Sequence, residues 1–254
     1  MKNIVTSLIG LLVSVVVIHL LYVGYIWPEA DRVMEASRLA GVSAPRDLVV
    51  ILKDAEQEIC LMLMLWGFFL MGEKCYGIIK DAYLYDVDLL ENTEEDDAEM
   101  NLSNALSKIE TLPEKIKSTP LIQALTSSIR RYLITDDVQN TSDAIETSID
   151  ALALRQETEN SMIRYLIWAI PSIGFIGTVR GIGAALAQAD EALAGDISGM
   201  TNSLGVAFNS TLVALIISIG LMFLLHQLQR LQDGQIVQTQ AYCEKFLLNR
   251  ISSK

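Results

Sequence analysis

The chain has 254 residues, of which 51% are hydrophobic, and a formal net charge of −12 at neutral pH. The apolar residues come in long blocks with the charges between them, which excludes an ordinary soluble domain and an intrinsically disordered chain. Several blocks reach the length of about 20 residues that a helix needs to cross a bilayer. The sequence therefore predicts an all-α integral membrane protein with four transmembrane helices.

The first apolar block, Ile4 to Trp27, predicts a transmembrane helix over residues 1–27. Its apolar run is longer than that of a cleavable signal peptide, and no clear small-residue cleavage site follows it. We therefore expect the helix to be retained as an anchor. His19 within it is a candidate for proton relay, and a histidine packed at a helix interface is the alternative interpretation.

The second block, residues 59–79, is the weakest of the four. Its apolar centre, ICLMLMLWGFFLMG, has 14 residues and is followed by Glu73 and Lys74. The block spans the bilayer if those charges lie near its cytoplasmic end. Residues 28–58 then form a short segment between the first two transmembrane helices.

Residues 80–161 are polar and predict a helical domain. The stretch ENTEEDDAE at 91–99 is a charge-rich break, in which Asp96 or Asp97 is expected to cap the following helix. Two sets of apolar residues then recur at helical spacing: Leu102, Ala105, Leu106 and Ile109, and Leu121, Leu125, Ile129 and Leu133.

The next helix is predicted to run without a break into the third apolar block. No proline or glycine occurs from Asp143 to Ile170, and Thr141 or Ser142 is expected to cap this helix. It forms a long helical extension of the membrane span on the side of the 80–161 domain.

The third and fourth transmembrane helices are assigned to residues 162–188 and 200–228, with an acidic loop over 189–199 between them. The tail, 229–254, is predicted to continue as a helix with Gly234 as a candidate break. Apolar residues recur in this part of the chain at helical spacing: Leu228, Leu231, Val237, Phe246 and Leu247.

The distribution of Lys and Arg predicts the orientation in the membrane. The 189–199 loop holds Asp190, Glu191 and Asp196 and no basic residue, whereas basic residues precede the third helix and follow the fourth. We therefore expect this loop outside, and both termini and the 80–161 domain in the cytoplasm. Four basic residues in the segment that this assignment places outside oppose it: Arg32, Arg38, Arg46 and Lys53.

Each of the last two transmembrane helices carries a stripe of small residues. At 3.6 residues per turn, one stripe in each helix falls on a single face. Because the hydrophobic effect does not drive helices together in lipid, transmembrane helices associate through close backbone contact, which stripes of small residues allow. Each stripe contains one central threonine; the members are Pro171, Gly174, Thr178, Gly181 and Ala185, and Ala207, Thr211, Ala214 and Ser218.

Counting outward from the middle of the loop between the two helices places Thr178 and Thr211 at equal depth, roughly in the middle of the bilayer at about 1.5 Å per residue. The same count pairs Arg180 with Asn209 on the opposite faces. An arginine inside a span is costly and is normally paired. We therefore expect Asn209, and Glu73 as a further candidate, to be its partners.

Two interpretations of the stripes stay open. One is ordinary helix packing, with each threonine hydroxyl bonded to its own backbone. The other is a pore-facing wall, along which another helix slides while the hydroxyls offer hydrogen bonds to an ion or its carrier.

No nucleotide-binding loop, catalytic motif or metal-spaced His/Cys cluster is found, so no enzymatic activity, cofactor, metal or nucleic-acid partner is expected. The three cysteines, Cys60, Cys75 and Cys243, lack CxxC spacing and are predicted to be reduced packing residues.

The motifs IPSIGFIGTVRGI and SLGVAFNSTLVALIISIG resemble the last two spans of the MotA/TolQ/ExbB family of proton-channel subunits. The resemblance covers residues 165–225. Four predicted spans with a large inner domain after the second are more similar to the MotA branch than to the three-span ExbB and TolQ branch.

The resemblance implies a pentamer of this chain in the bacterial inner membrane, around two copies of a single-span partner of the ExbD, TolR or MotB type with an essential aspartate. Protons, or sodium ions, would cross beside that aspartate and drive rotation. The family's Gly-Thr-Val threonine carries over to Thr178. The last-span threonine of TolQ and ExbB aligns with Ala207, and a MotA-like alignment places it at Thr211. Arg180 lies where better-known members are expected to be apolar.

Neither of the last two spans carries a central carboxylate, so a partner is expected to bring the acid. His226, at the inner end of the fourth helix, is another relay candidate. The alternative to a channel is a non-conducting membrane scaffold that docks a partner through its cytoplasmic helices. A self-contained transporter would require intramembrane acids or inverted repeats, and neither is evident.

Overall fold

The computed structural model describes residues 2–39, 47–90 and 98–252. The described residues form helices joined by short turns and contain no β-strand. Four helices are long and apolar enough to cross a membrane: Val5–Leu39, Ala55–Tyr85, Val138–Ala187 and Ser198–Ser252. These findings confirm the predicted all-α class with four candidate spans. The expected capping residues Asp96 and Asp97 lie outside the described residues.

Eleven α-helices are described in these ranges, together with short π-helical and 3₁₀ segments. Their bounds are α1 Lys2–Leu21, a π-helical turn Tyr22–Ile26, α2 Trp27–Leu39, α3 Leu48–Ile51, α4 Ala55–Asp81, a 3₁₀ turn Ala82–Tyr85, α5 Ala98–Thr111, α6 Glu114–Lys117, α7 Pro120–Thr135, α8 Val138–Ala187, α9 Ala189–Leu193, α10 Ser198–Cys243, a π-helical turn Glu244–Leu248 and α11 Asn249–Ser252.

The first helix does not end at Trp27, where the sequence predicted its end. It continues to Leu39 through the π-helical turn, in which the Trp27 amide donates to the Tyr22 carbonyl. This wider turn ends two residues before Pro28, whose ring nitrogen has no hydrogen and therefore cannot donate the usual helical hydrogen bond. The predicted segment 28–58 therefore contains helix α2, the short helix α3 and the start of α4.

Helix α8 is 50 residues long, which confirms the predicted unbroken helix leading into the third span. It begins at Val138, and the Asp137 carboxylate accepts a hydrogen bond of 2.8 Å from the Gln139 amide. The expected caps Thr141 and Ser142 were wrong because both lie inside the helix; the Thr141 hydroxyl donates to the Asp137 carbonyl. The expected break at Gly234 was also wrong, since α10 continues to Cys243.

The chain divides into two compact units. Unit 1 consists of Met1–Glu73 and Met162–His226, and unit 2 consists of Lys74–Ser161 and Gln227–Lys254. Unit 1 holds the apolar parts of all four candidate spans. The membrane side that each unit occupies stays a prediction.

Unit 2 has its own hydrophobic core, built largely from the two sets of apolar residues predicted on α5 and α7. Leu125 and Ile129 are completely buried, and Leu102, Ala105, Ile109 and Leu121 are buried beside them. Of the apolar residues that predicted a helical continuation of the fourth span, Leu228 and Leu247 are buried, whereas Leu231 and Val237 are exposed.

Amide side chains pair α8 with α10 inside unit 2; three of them are buried and Gln156 is half-buried. Asn160 donates to the Gln232 side-chain oxygen at 2.7 Å, and Gln156 donates to that of Gln235 at 3.0 Å. Because each polar group finds a partner, these pairs satisfy the requirement that buried amides be hydrogen-bonded.

Candidate functional site

Within unit 1, α8 and α10 approach each other through their small residues. A Cβ atom built on Gly174 would lie 2.5 Å from the Ala214 Cβ, and one built on Gly181 would lie 2.7 Å from the Ala207 amide nitrogen. Real Cβ atoms do not approach other atoms so closely, so glycine at both positions permits this contact. The geometry is that of small-residue packing between transmembrane helices.

The two predicted stripes therefore pack against each other within the chain. Buried members are Gly174, Gly181, Ala185, Ala207, Ala214 and Ser218, whereas Pro171 is half-buried. In the single chain the stripe is a helix–helix contact, as the first of the two interpretations expected. A pore-facing role for it stays a prediction about an assembled complex.

Thr178 and Thr211 meet at the centre of this contact, and their hydroxyl groups are hydrogen-bonded to each other. The Thr178 hydroxyl also lies 3.0 Å from the Ala207 carbonyl, and the Thr211 hydroxyl lies 3.2 Å from the Gly174 carbonyl. The two threonines therefore lie at the same level along the helix pair, as the count predicted, and their depth in the bilayer stays a prediction. The interpretation that each hydroxyl bonds to its own backbone holds for Thr178, which lies 3.3 Å from the Gly174 carbonyl of its own helix, but not for Thr211, whose carbonyl contact is with the other helix.

The pair has unused capacity to accept hydrogen bonds. Two hydroxyl groups together carry two hydrogens and four lone pairs. One hydrogen joins the hydroxyls to each other and the second is donated to a backbone carbonyl, which leaves three lone pairs. Both side chains are half-buried, in contrast to the fully buried Ala207 and Ala214 beside them. The pair can therefore accept a hydrogen from a protonated group or contribute oxygens to a cation.

The first turn of α4 brings three consecutive polar residues to three different helices. Glu56 accepts a hydrogen bond from Arg180 on α8, Gln57 donates to Ser210 on α10 at 3.4 Å, and Glu58 lies 2.8 Å from the His19 ring nitrogen on α1. All three are nearly completely buried. Acidic residues in a first turn are favoured by the helix dipole, which gives this turn a local reason to carry carboxylates.

The sequence predicted Asn209 as the partner of Arg180, and this was wrong. Arg180 is paired with carboxylates instead. Its Nε atom lies 2.7 Å from Glu56 Oε1, its Nη2 atom 2.8 Å from Glu56 Oε2, and Asp54 lies 3.9 Å away. A carboxylate neutralises a guanidinium and matches its fork of donors, which an amide cannot do. Glu73, the other candidate, is exposed.

An arginine inside a span costs about 2.5–3.5 kcal/mol on insertion scales, and this ion pair offsets part of that cost. The sequence analysis missed the partner because Glu56 and Glu58 precede the apolar window of the second span and were assigned to an outer segment. One sequence signal pointed to them. A charged arginine in an apolar helix is normally paired with a carboxylate, and Glu56 and Glu58 lie immediately before the second apolar block.

His19 has a defined environment at this turn. Its ring contacts Glu58, and the Trp27 ring lies edge-on at a centroid distance of 6.0 Å. His226, the other relay candidate, is exposed. The three cysteines are free thiols, as predicted, and Cys60 and Cys243 are buried.

The family model of the MotA/TolQ/ExbB proton channel family matches residues 116–241, about half of the chain. This chain belongs to the MotA/TolQ/ExbB proton channel family. The match includes both stripes and the threonine pair. No curated protein matches the chain, and no solved structure does.

Membership makes the protein a multi-pass membrane protein and a subunit of a proton channel. The family is associated with transport and typically works with a single-span partner of the ExbD or MotB type. The acidic turn of α4 and its pairing with Arg180 are features of this chain that the resemblance did not predict.

Proposed function

We propose that this chain is the channel subunit of a stator-like rotary motor in the bacterial inner membrane. Five copies would surround two copies of a single-span partner, whose essential aspartate carries the ion past the threonine pairs. A proton or sodium motive force would then drive rotation of one component within the other. Four candidate spans favour the MotA-like branch, with both termini and unit 2 in the cytoplasm.

The observation that carries this proposal is the Thr178–Thr211 pair. Its hydroxyls are joined across two helices at matched depth, and they keep lone pairs free. A protonated aspartate on a partner helix could donate to such a pair, and a cation could be bound by its oxygens. Gly174, Gly181 and Ala207 are buried in the contact between α8 and α10, whereas the two threonines are only half-buried, so the partner helix would approach the hydroxyls from their exposed side.

The carboxylates of this chain do not replace the partner's aspartate in this proposal. Glu56 is engaged by Arg180, and Glu58 contacts His19. No acidic residue occurs between Tyr165 and Ala187 or between Met200 and Leu225. A mobile proton carrier at the level of the threonines must therefore come from another chain.

The proposal is tested by isolating the assembly and measuring ion flux. The chain would be co-purified with the product of a neighbouring gene that encodes one span with an aspartate, and the complex would be reconstituted in liposomes that contain a pH-sensitive dye. We expect a membrane potential to drive acidification that is lost when the partner's aspartate is changed to asparagine. Equal acidification with and without that aspartate would contradict the proposal, and repeating the assay with a sodium-sensitive dye in the liposomes tests sodium as the ion.

A non-conducting scaffold remains the second candidate, and the independent core of unit 2 favours it. A scaffold would co-purify with a partner but carry no current. The same liposome assay therefore separates the two functions, since a stable complex without flux identifies the scaffold.

A further inference from the structure

Arg180 lies two residues after Thr178 but has no part in the ion pathway proposed above. It binds Glu56 through two parallel contacts, from Nε and Nη2 to the two carboxylate oxygens. Only a guanidinium presents this fixed fork, so the arrangement is specific for arginine and would be lost with lysine.

The side chain of Glu56 packs beside Gly177, the residue before Thr178. A Cβ atom built on Gly177 would lie 3.2 Å from Glu56 Cγ and 2.6 Å from the Ser210 hydroxyl. Gly177 directly precedes Thr178, and Ser210 directly precedes Thr211. The first turn of α4 is thus packed against the residue that precedes each threonine in the chain.

This turn contains more negative charge and more acceptors than its fixed cations neutralise. In the part of the chain that the structure describes, the three carboxylates of Asp54, Glu56 and Glu58 face two fixed cations, Lys53 and Arg180, and the ring of His19. Two buried oxygens, Asp54 Oδ2 and Gln57 Oε1, have no donor among the described residues. Without Arg180, Glu56 would be an unpaired carboxylate packed beside Gly177, one residue from Thr178 along α8, from where its charge would attract a permeating cation.

We propose that Arg180 is a positioning residue that anchors the first turn of α4 to α8 and neutralises Glu56, so that this carboxylate does not compete for the ion beside Thr178 and Thr211. The role in the pathway rests on the proposed function. The anchor itself depends only on the contacts within this chain.

The anchor is tested on the purified chain by a double-mutant cycle of Arg180→Gln and Glu56→Gln, with thermal unfolding in detergent as the readout. Each single variant leaves one charge unpaired, so each should lower the unfolding temperature, and the double variant should lose less than the sum of the two losses. The matched control is the Arg130–Glu110 pair of unit 2, which also joins two helices and in which both side chains are more than half exposed. Additive losses for Arg180 and Glu56 would overturn the anchor.

The pathway role is tested by flux through the reconstituted complex. Arg180→Gln should reduce flux about tenfold, which lies within the range of interaction free energies found between residues in contact. The neutral double variant Arg180→Gln/Glu56→Gln should recover most of that flux. Glu56→Gln separates this role from a purely structural one: it breaks the same ion pair but leaves no free carboxylate, so flux per folded complex should stay near wild type, whereas a purely structural contact would lower flux in both single variants. Wild-type flux in Arg180→Gln, or no recovery in the double variant, would overturn the role.

The two tests fail in distinguishable ways. If the wild-type complex carries no current, the proposed function fails and the pathway role of Arg180 fails with it, whereas the unfolding cycle still decides the anchor. If the wild type conducts and the Arg180 variants conduct equally well, the proposed function stands and the role assigned to Arg180 is wrong.

Discussion

Helices α8 and α10 pair with each other in both units, but through different chemistry. In unit 1 they touch through glycine and alanine, with one hydroxyl pair at the centre. In unit 2 the contact includes amide pairs such as Asn160 with Gln232. In lipid the hydrophobic effect does not drive helices together, so close backbone contact between small residues provides the attraction. In unit 2, the amide pairs satisfy buried polar groups and fix the helix register. The difference shows that one pair of helices can be held tightly by shape in one region and by hydrogen bonds in another.

The largest expected effect comes from filling the contact in unit 1. Gly181→Leu would place side-chain atoms against the backbone of Ala207, with the first of them already within 2.8 Å of its amide nitrogen and Cβ. Overpacking typically costs about 1–3 kcal/mol and more where backbone cannot move. We expect loss of folded protein in size-exclusion chromatography and not merely loss of partner binding.

Gly183→Leu is the matched control for this change. Gly183 lies two residues further along the same helix, and a Cβ atom built on it would meet no described atom within 4 Å. It should leave the folded fraction unchanged. Equal behaviour of the two variants would show that shape does not hold the helices together in unit 1.

A smaller effect is expected in unit 2. Asn160→Leu removes one partner of a buried amide pair and leaves Gln232 without its hydrogen bond, at a cost of about 1–3 kcal/mol. The double variant Asn160→Leu/Gln232→Leu replaces both partners by apolar groups and should recover much of that loss. Thermal unfolding of the four proteins measures this, and a double variant that is less stable than either single variant would contradict the role of the pair.

The smallest effect is expected in the loop between the helices. Asp196 accepts hydrogen bonds from the hydroxyl and the amide of Ser198 at the start of α10, and these bonds lower the pKa of its carboxyl group. A lowered pKa in the folded state means that the stabilisation is present above the unfolded pKa and is lost as the pH falls through the folded one. The unfolding temperature of Asp196→Asn should therefore lie slightly below that of the wild type at neutral pH, and the two should converge in acid. A constant difference across that range would contradict this account.

Much of the fold could be predicted because hydropathy and helical period are local properties. The four candidate spans, the unbroken α8 and the core positions of unit 2 follow from them. Matched depth of Thr178 and Thr211 also followed, since a short loop lets positions be counted along both helices. These predictions require only the rise and rotation of a regular helix.

What the sequence could not predict depends on features that hydropathy does not report. The partner of Arg180 was missed because Glu56 lies outside the apolar window, and its contact depends on the rotation of α4 relative to α8. The end of the first helix was misplaced because a π-helical turn precedes Pro28. Gly234 did not break α10, since one glycine costs only about 1 kcal/mol in a helix that packing supports.

The central claim is that the joined hydroxyls of Thr178 and Thr211 form part of the ion pathway. It is tested most directly by ion flux through the reconstituted complex with Thr178→Val or Thr211→Val, which preserve side-chain shape and remove the hydroxyl. Thr201→Val is the control, because that hydroxyl is exposed near the start of α10 and bonds to the Ile197 carbonyl. The account predicts normal assembly with strongly reduced flux in the first two variants and wild-type flux in the third; wild-type flux in both Thr178→Val and Thr211→Val would contradict it.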